Sequence, residues 1–338
     1  MQYPRTARTL LAAGACALLL TGGVAGCGSD SGGSGGGGGK GAKVGLVTKT
    51  DTNPFFVKLR EAAQKEADAQ GVDLIAVAGR FDGDNEGQVA AIENLIAQGV
   101  KGILITPSNS SGILGAIKKA RDRGIVVIAL DTETDPKSAV DATYATDNTD
   151  AGRKQGAWVK AALAGKPAKI AMLDGTPGGT VDTMRHDGFL AGMGIKDNDP
   201  SIVGRGNTNG DQSKAQTVME GLLQRAADIN VVYTINEPAA RGGYAAVKAK
   251  GTEKSVLIGS IDGGCEGVRD VKAGRYGATV MQFPAEMAGE GVKAIAKFAK
   301  DGTKPSGFVD TGSEVITDKP MTGVPSKDTA WGLQNCWG

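Results

Sequence analysis

The sequence predicts an α/β protein made of two doubly wound parallel-sheet lobes joined by a hinge that the chain crosses several times. Short β-branched runs alternate with amphipathic segments from Lys43 onward, the pattern of parallel strands connected by helices. The alternation stops at "ATYATDN", Ala142 to Asn148, and then starts again, so two similar halves follow one another. One long helical pattern is left over after the second half, and a return to the first lobe gives it a surface to pack on.

In the first half the strands are "VGLVT", "VDLIAVAG", "GILITP" and "IVVIALD", and the helices are Pro54 to Gln70, Asn85 to Gln98 and Ser110 to Arg123. Phe55, Leu59, Ala62, Ala63 and Ala67 share one face of the first helix by their spacing, whereas Lys58, Glu61 and Lys65 fall on the other. Gly71, Gly99 and Gly124 end the three helices. In the second half "KIAMLD", "SIVGRGN", "VVYTIN", "VLIGSID" and "GATVMQF" read as strands between helices at Thr149 to Ala164, Thr180 to Met193, Asp211 to Ala226, Ala239 to Lys250 and Glu266 to Ala273. Pro284 to Lys300 is the left-over helix, and "FVDTGSEVITD" is an extended segment before a polar tail ending in "NCWG". The expected first lobe is 43–146 plus 284–310 and the second 147–283 plus 311–338. The chain should flex near Thr146-Asp147, Gln282-Phe283 and Asp310-Gly312.

The N-terminus stands apart from this fold. Arg5 and Arg8 precede an apolar run from Leu10 to Leu20 that ends in small residues, so 1–26 reads as an export signal. Val24-Ala25-Gly26-Cys27 resembles a lipobox, which makes Cys27 the expected lipid anchor and the outer face of the cell membrane the expected location. Residues 27–42 then form a Gly/Ser tether without an apolar side chain able to pack. The glycine-lysine pair at its end lacks the strand and the Ser/Thr-led helix of a phosphate loop.

Of four cysteines, Cys16 leaves with the signal and Cys27 takes lipid; Cys265 and Cys336 remain in an oxidising compartment and are expected to pair, two free buried thiols being the alternative. Closing a loop of about 70 residues would stabilise by about 4 kcal/mol in the chain-entropy picture. Lys+Arg 38 against Asp+Glu 37 gives a net charge of only +1, and no basic run or DNA-binding headpiece precedes the first strand, which argues against a nucleic-acid partner.

Ligands of such sheets bind at the carboxyl ends of the strands. After the strands of the first half come Lys49, Asp51, Asn53, Phe55 and Phe56, then Arg80, Phe81, Asp82 and Asp84, then Ser108 and Asn109, then Asp131, Thr132 and Glu133. In the second half the strand ends offer Thr176, Thr183 and Arg185, then Asn209 and Asp211, then Asn236 and Glu237, then Asp262, and last Gln282. Carboxylates and amides bridge neighbouring hydroxyls, Arg donates in a fixed fork, and an aromatic ring covers the C–H face of a sugar. Each Asp or Asn alone can equally be a helix cap, Asp84 and Asp211 most of all, and Phe55 or Phe56 can belong to the core. Their coincidence on both halves favours a cleft.

Catalytic signals are few. His186, the single histidine, has no nucleophile at a readable spacing and is expected to be a solvated or supporting residue; metal-ligand spacing is absent, and "GTPGGT" at Gly175 to Thr180 matches a dinucleotide loop only faintly. No cofactor or metal is expected, and the chain is not expected to be an enzyme. The competing class is a secreted hydrolase using paired carboxylates such as Asp131 and Asp262; a receptor for a membrane sensor is a third.

The segments "TNPFFVKLREAAQKEA", "KGILITPSNSSGI", "VIALDT", "ATDNTDAG", "MRHDGF", "YTINEPAARGGYAA", "IGSIDGG" and "ATVMQFP" together resemble the periplasmic binding proteins of the ribose/galactose type, the solute receptors of sugar ABC importers. The resemblance runs from Lys43 to about Asp318. It implies the type I periplasmic binding protein fold, a monosaccharide bound between the lobes, a membrane permease as partner and a monomeric receptor. It also implies sugar contacts from Asn53, Phe55, Phe56, Asp131, Arg185, Asn236, Asp262 and Gln282, to which the strand-end list adds Asp51 and Asp82. Thr132 stands where the ribose type has arginine, and an aromatic near Gly210 is missing, two departures from the ribose pattern that leave ribose one candidate beside fructose, xylose, galactose and inositol. "FDGDNEGQ", "ALDTETDP", "INEPAA" and "IDGGCEGVRDV" resemble the fructose-binding branch more closely. Replacing Arg185 or Asp262 by Ala is expected to abolish sugar binding and leave the fold intact.

Overall fold

A computed structural model describes residues 41–338; the expected leader, Cys27 and the tether up to Lys40 lie outside the described residues. The chain runs β1 (Lys43–Thr48), α1 (Pro54–Gln70), β2 (Asp73–Ala78), α2 (Asn85–Ala97), β3 (Gly102–Ile105), α3 (Leu114–Arg121), β4 (Val126–Leu130) and β5 (Ala142–Ala145). It continues through α4 (Asn148–Ala162), β6 (Ile170–Asp174), α5 (Thr180–Met193), β7 (Ile202–Asn207), α6 (Gln212–Arg225), β8 (Val231–Thr234), α7 (Glu237–Ala249), β9 (Leu257–Asp262), α8 (Cys265–Lys272) and β10 (Ala278–Met281). The end of the chain holds α9 (Pro284–Asp301), β11 (Gly307–Asp310), β12 (Glu314–Ile316) and α10 (Thr329–Asn335).

Two six-stranded sheets result, ordered β11-β5-β4-β3-β1-β2 and β12-β10-β9-β8-β6-β7. Every pairing of the first is parallel, and in the second only β12 runs antiparallel, along β10. The strand order reverses between β1 and β3 and again between β6 and β8, so each sheet has a switch point, the crevice where such folds take ligands.

Burial explains the layers. On one face of the first sheet Phe55, Leu59 and Ala63 of α1 pack with Met287, Val292 and Ile295 of α9 over Leu46, Leu104 and Ile128; on the other, Ile92 and Leu95 of α2 join Ile117 of α3. The left-over helix therefore belongs to the first sheet. In the second sheet Trp158 and Phe189, from α4 and α5, cover one face, and Met219, Leu222 and Val247 cover the other. Helices α4 and α5 lie backbone on backbone because a Cβ at Gly152 would collide with the carbonyl of Arg185, and one at Gly156 with that of Phe189.

The chain passes between the sheets three times: between β5 and α4, between β10 and α9, and between β11 and β12. The segment "FVDTGSEVITD", read as one extended piece, is divided between the two sheets. Gly312, at φ 82°, turns the chain there, and the Asp310 carboxylate accepts from the backbone N–H groups of Gly312 (2.8 Å) and Asp147 (3.1 Å), tying two crossings together. Helix α3 starts at Leu114 rather than Ser110, because Asn109 Oδ1 takes the N–H groups of Ser111 and Gly112 while the Ser110 N–H is drawn to Gly178 O in the other lobe, 2.9 Å away.

Candidate functional site

The carboxyl ends of the two sheets face each other across a narrow cavity. From the first lobe Lys49, Asn53, Phe55, Phe56, Asp82 and Asp131 line it. From the second come Asp182, Arg185, Asn236 and Asp262, with Val181, Gly210 and Ile235 between them. At about 30 Å³ the cavity is, in this arrangement, only about the share of one water molecule in the liquid, so any larger ligand requires the lobes to part. A broader groove opens outward from it past Asn53 and Asp82, between Phe81 and Pro238. A separate groove of about 650 Å³ lies at the opposite, amino end of β4, beside Lys118, Gly124 and Ile125; its Arg121 is already engaged by Asp141 and the carbonyls of Ser138 and Ala139, and no carboxyl end of a strand lines it.

Local sequence explains how the aromatic pair reaches the cleft. Asn53 caps α1 by accepting from the Phe55 N–H at 3.0 Å, and Pro54 fixes the first turn, so Phe55 and Phe56 emerge from the helix N-terminus. Their rings meet edge to face with centroids 5.5 Å apart. Both are buried, lining the cleft while also belonging to the first-lobe core. Asn236 acts alike at α7: its Oδ1 accepts from the Ala239 N–H at 3.0 Å and its amide donates to Gly210 O at 3.3 Å. Asp84 and Asp211 are caps as well, of α2 and α6, and neither lines the cavity; Asp84 is also clamped by Arg80.

Arg185 is the most constrained side chain of the site. Its Nε donates to Asn148 Oδ1 at 2.8 Å, one terminal nitrogen donates to Ile235 O at 2.9 Å, and the other faces Asp131 Oδ1 at 3.9 Å. The close approach of α5 to α4 brings Arg185 and Asn148 together. Asn148 in turn donates to Asp131 O at 3.2 Å, so the group spans both lobes. Asp131 itself sits at φ 61°, a left-handed conformation that costs energy in a residue with a Cβ, and Asp262 at φ 149°. Thr132 donates to Asp131 Oδ2 at 2.8 Å, and Gln282 donates to Asp262 Oδ1 at 3.1 Å.

The cleft is rich in charge. Lys49, buried, lies 3.8 Å from Asp82; burial opposes its ammonium, but Asp82, Asp182 and Asp131 outweigh that and raise its pKa. Burial also pushes Asp82 upward, against the pull of Lys49. The Asp182 carboxyl, deprived of water and close to Asp82, rises to about 7 in spite of Lys49. Behind them Glu237 and Asp262 are a buried acid pair, both raised by desolvation, with Glu237 further raised by the Asp262 charge and held by the Thr279 hydroxyl (2.9 Å) and the Gly263 N–H (3.0 Å). Asp82 Oδ1 and Asp182 Oδ2, on residues that line the cavity, are buried without a hydrogen-bond partner, capacity that suits a ligand presenting hydroxyl donors.

The lobes also touch directly. The Ser110 hydroxyl accepts from the Thr180 N–H (3.0 Å) and donates to Glu133 O (2.7 Å), Thr180 Oγ1 donates to the same carbonyl (2.7 Å), and Asn209 donates to Asp82 O (2.9 Å).

Of the ten expected ligand residues, Asn53, Phe55, Phe56, Asp82, Asp131, Arg185, Asn236 and Asp262 line the one cavity. Asp51 does not: it is exposed, two residues before the α1 cap, where the loop turns outward. Gln282 stands behind Asp262 and supports it. Lys49 was in the strand-end list but not among the expected contacts, and Asp182 was missed; its position three residues before Arg185 on the same helix placed it on the same face. His186 faces away from the cleft, between Asp174 (2.7 Å) and Asp197 (2.9 Å), whose carboxylates raise its pKa, Asp174 most of all. Cys265 and Cys336 form a disulfide with Cα atoms 4.9 Å apart.

A family model described as a periplasmic binding protein domain matches residues 44–304. The ribose import binding protein RbsB of Bacillus subtilis is 33% identical over 276 residues, 82% of this chain and 87% of its own length. The galactofuranose-binding protein YtfQ of Escherichia coli is 33% identical over 72% of this chain and 77% of its own. The crystal structure of a galactofuranose binding protein superposes with a TM-score of 0.77 at 28% identity, covering 87% of this chain and 97% of that one. With two parallel α/β lobes facing each other across one polar and aromatic cleft, and relatives aligned along nearly the whole described chain, this protein belongs to the periplasmic binding protein domain family, among the sugar-binding members of the ribose/galactose type.

Proposed function

We propose that the chain is a receptor that binds one monosaccharide between its lobes and delivers it to the membrane permease of an ABC importer. The observation that carries this is the convergence of Phe55, Asp131, Arg185 and Asp262, from both lobes, on one cavity. The Phe55 and Phe56 rings would cover the sugar's C–H face. Asp131, Asp82, Asp182 and Asp262 would accept from hydroxyls, and Lys49, Arg185 and Asn236 would donate. Gln282 would act through Asp262. Because the two lobes contribute different contacts, a sugar gains most from the closed arrangement and shifts the equilibrium toward it, with bending at the three crossings. A permease then tells the loaded from the empty receptor by shape.

Among monosaccharides fructose is the first to test. What supports this is the resemblance of "FDGDNEGQ" and "IDGGCEGVRDV" to the fructose-binding branch, and Thr132, which keeps the place after Asp131 small and turned onto the Asp131 carboxylate. Cys27 as a lipidated anchor, on the outer face of the membrane, and a monomeric receptor complete the proposal. Calorimetric titration with fructose, ribose, allose, galactose, xylose and inositol tests it. Saturable binding of one sugar, recovered unchanged, is the expected result; no binding by any of them, or turnover of the sugar, refutes it.

A further inference from the structure

Trp337 packs behind the cleft, against one of the aromatic rings that line it. Trp337 is only 7% exposed. Cys336 anchors it through the disulfide to Cys265, the Cys265 N–H donates to Trp337 O at 2.8 Å, and Gly264 pairs with Trp337 as a short parallel bridge. Gly264 and Cys265 directly follow the Asp262-Gly263 turn at the cleft. The indole N–H donates to Gln282 O at 2.9 Å, on the crossing between β10 and α9, and Gln282 in turn holds Asp262. The indole ring meets Phe55 edge to face, centroids 5.6 Å apart, and joins the first-lobe core. One side chain, covalently tied to the second lobe, thus touches the first-lobe aromatic that lines the cavity and the backbone of a crossing.

We propose that Trp337, held by the Cys265–Cys336 disulfide, is a positioning residue of the ligand cleft: it seats the Phe55 ring and the Gln282 segment and so sets how well the closed lobes grip a ligand. The inference rests on the sugar-binding function proposed above. It also gives Trp337 an optical signature. Trp158 lies in the second-lobe core and Trp331 beside Lys327, whereas Trp337 abuts an aromatic of the cleft.

The test is titration of the whole exported chain with the sugar panel, by calorimetry and by tryptophan emission, in the wild type, Trp337→Ala, Trp337→Phe and Cys265→Ser/Cys336→Ser. The wild type should bind one sugar with a change in emission. Trp337→Ala should bind about tenfold more weakly, the scale of one aromatic contact with its hydrogen bond. Trp337→Phe restores the ring and should recover most of the affinity while losing most of the emission change. The double serine variant should move affinity in the same direction as Trp337→Ala. If Trp337→Ala does not fold, Trp337→Phe and the double serine variant decide. Affinity within twofold of the wild type in Trp337→Ala and the double serine variant, or an emission change that survives in Trp337→Phe, overturns the positioning role while leaving sugar binding standing. A wild type that binds no sugar overturns both.

Discussion

Arg185→Ala should damage the fold as well as the site. The guanidinium serves two buried acceptors, Asn148 Oδ1 at 2.8 Å and Ile235 O at 2.9 Å, and faces Asp131 at 3.9 Å. Each buried acceptor left unpaired costs about 1–3 kcal/mol, so the two together cost about 2–6 kcal/mol before Asp131 loses its neighbouring charge. That is a large part of the about 5–15 kcal/mol that holds a protein folded. At about 2 °C per kcal/mol for a chain of this size, the melting temperature should fall by about 4–12 °C. Scanning calorimetry of Arg185→Ala and Arg185→Lys measures it, with Lys expected between Ala and wild type because it keeps the charge and loses the fork. Sugar affinity should fall in parallel, since the side chain that aligns Asp131 with the second lobe is gone. A double-mutant cycle with Asn148→Ala should show coupling of about 0.5–3 kcal/mol, as expected for groups in one network. An Arg185→Ala variant that melts within 2 °C of the wild type would sink this account and restore the simpler expectation of a ligand group that can be removed without cost to the fold.

Ser110→Ala removes the hydroxyl that joins Thr180 and Glu133 across the lobes, and should weaken sugar binding by about three- to tenfold while enlarging the apparent radius in X-ray scattering; an unchanged radius and affinity would count against a closing contact here. Asp182 has its folded pKa raised from 3.8 to about 7, so it takes up a proton on folding in that interval, and the stability it contributes, full at lower pH, drains away as pH rises toward 7. Asp182→Asn should therefore flatten the decline in unfolding free energy between about pH 4 and pH 7, and parallel wild-type and variant curves would contradict it. Breaking the Cys265–Cys336 bridge, which closes a loop of 71 residues, should cost about 4 kcal/mol on the chain-entropy scale; mass spectrometry that finds both thiols free in the exported protein would dispose of the bridge.

Periodicity determined the order of most strands and helices, the restart at Ala142 to Asn148 and the extra helix at Pro284, because each is written in the spacing of apolar side chains within a few turns, but it did not mark β5 as a strand or α10 as a helix. The strand ends could be listed from that order, and most of the cavity lining was in the list. Which of those residues share a cavity was a matter for the tertiary structure. Asn53 and Asn236 cap helices as Asp84 and Asp211 do, each side chain accepting from a backbone N–H two or three residues on, yet only the first two line the cavity. The first two are Asn with a proline in the following turn and the other two are Asp without one, but a cap does not by itself state which cavity it faces, since the direction of each cap is set by how its helix packs on the sheet. The division of "FVDTGSEVITD" between two sheets, the clamp on Arg185 from Asn148 and Ile235, the approach of Lys49 to Asp182 and the seating of Trp337 against Phe55 all join residues far apart in the chain. They arise from packing within and between the lobes, which a repeat of two or 3.6 residues does not encode.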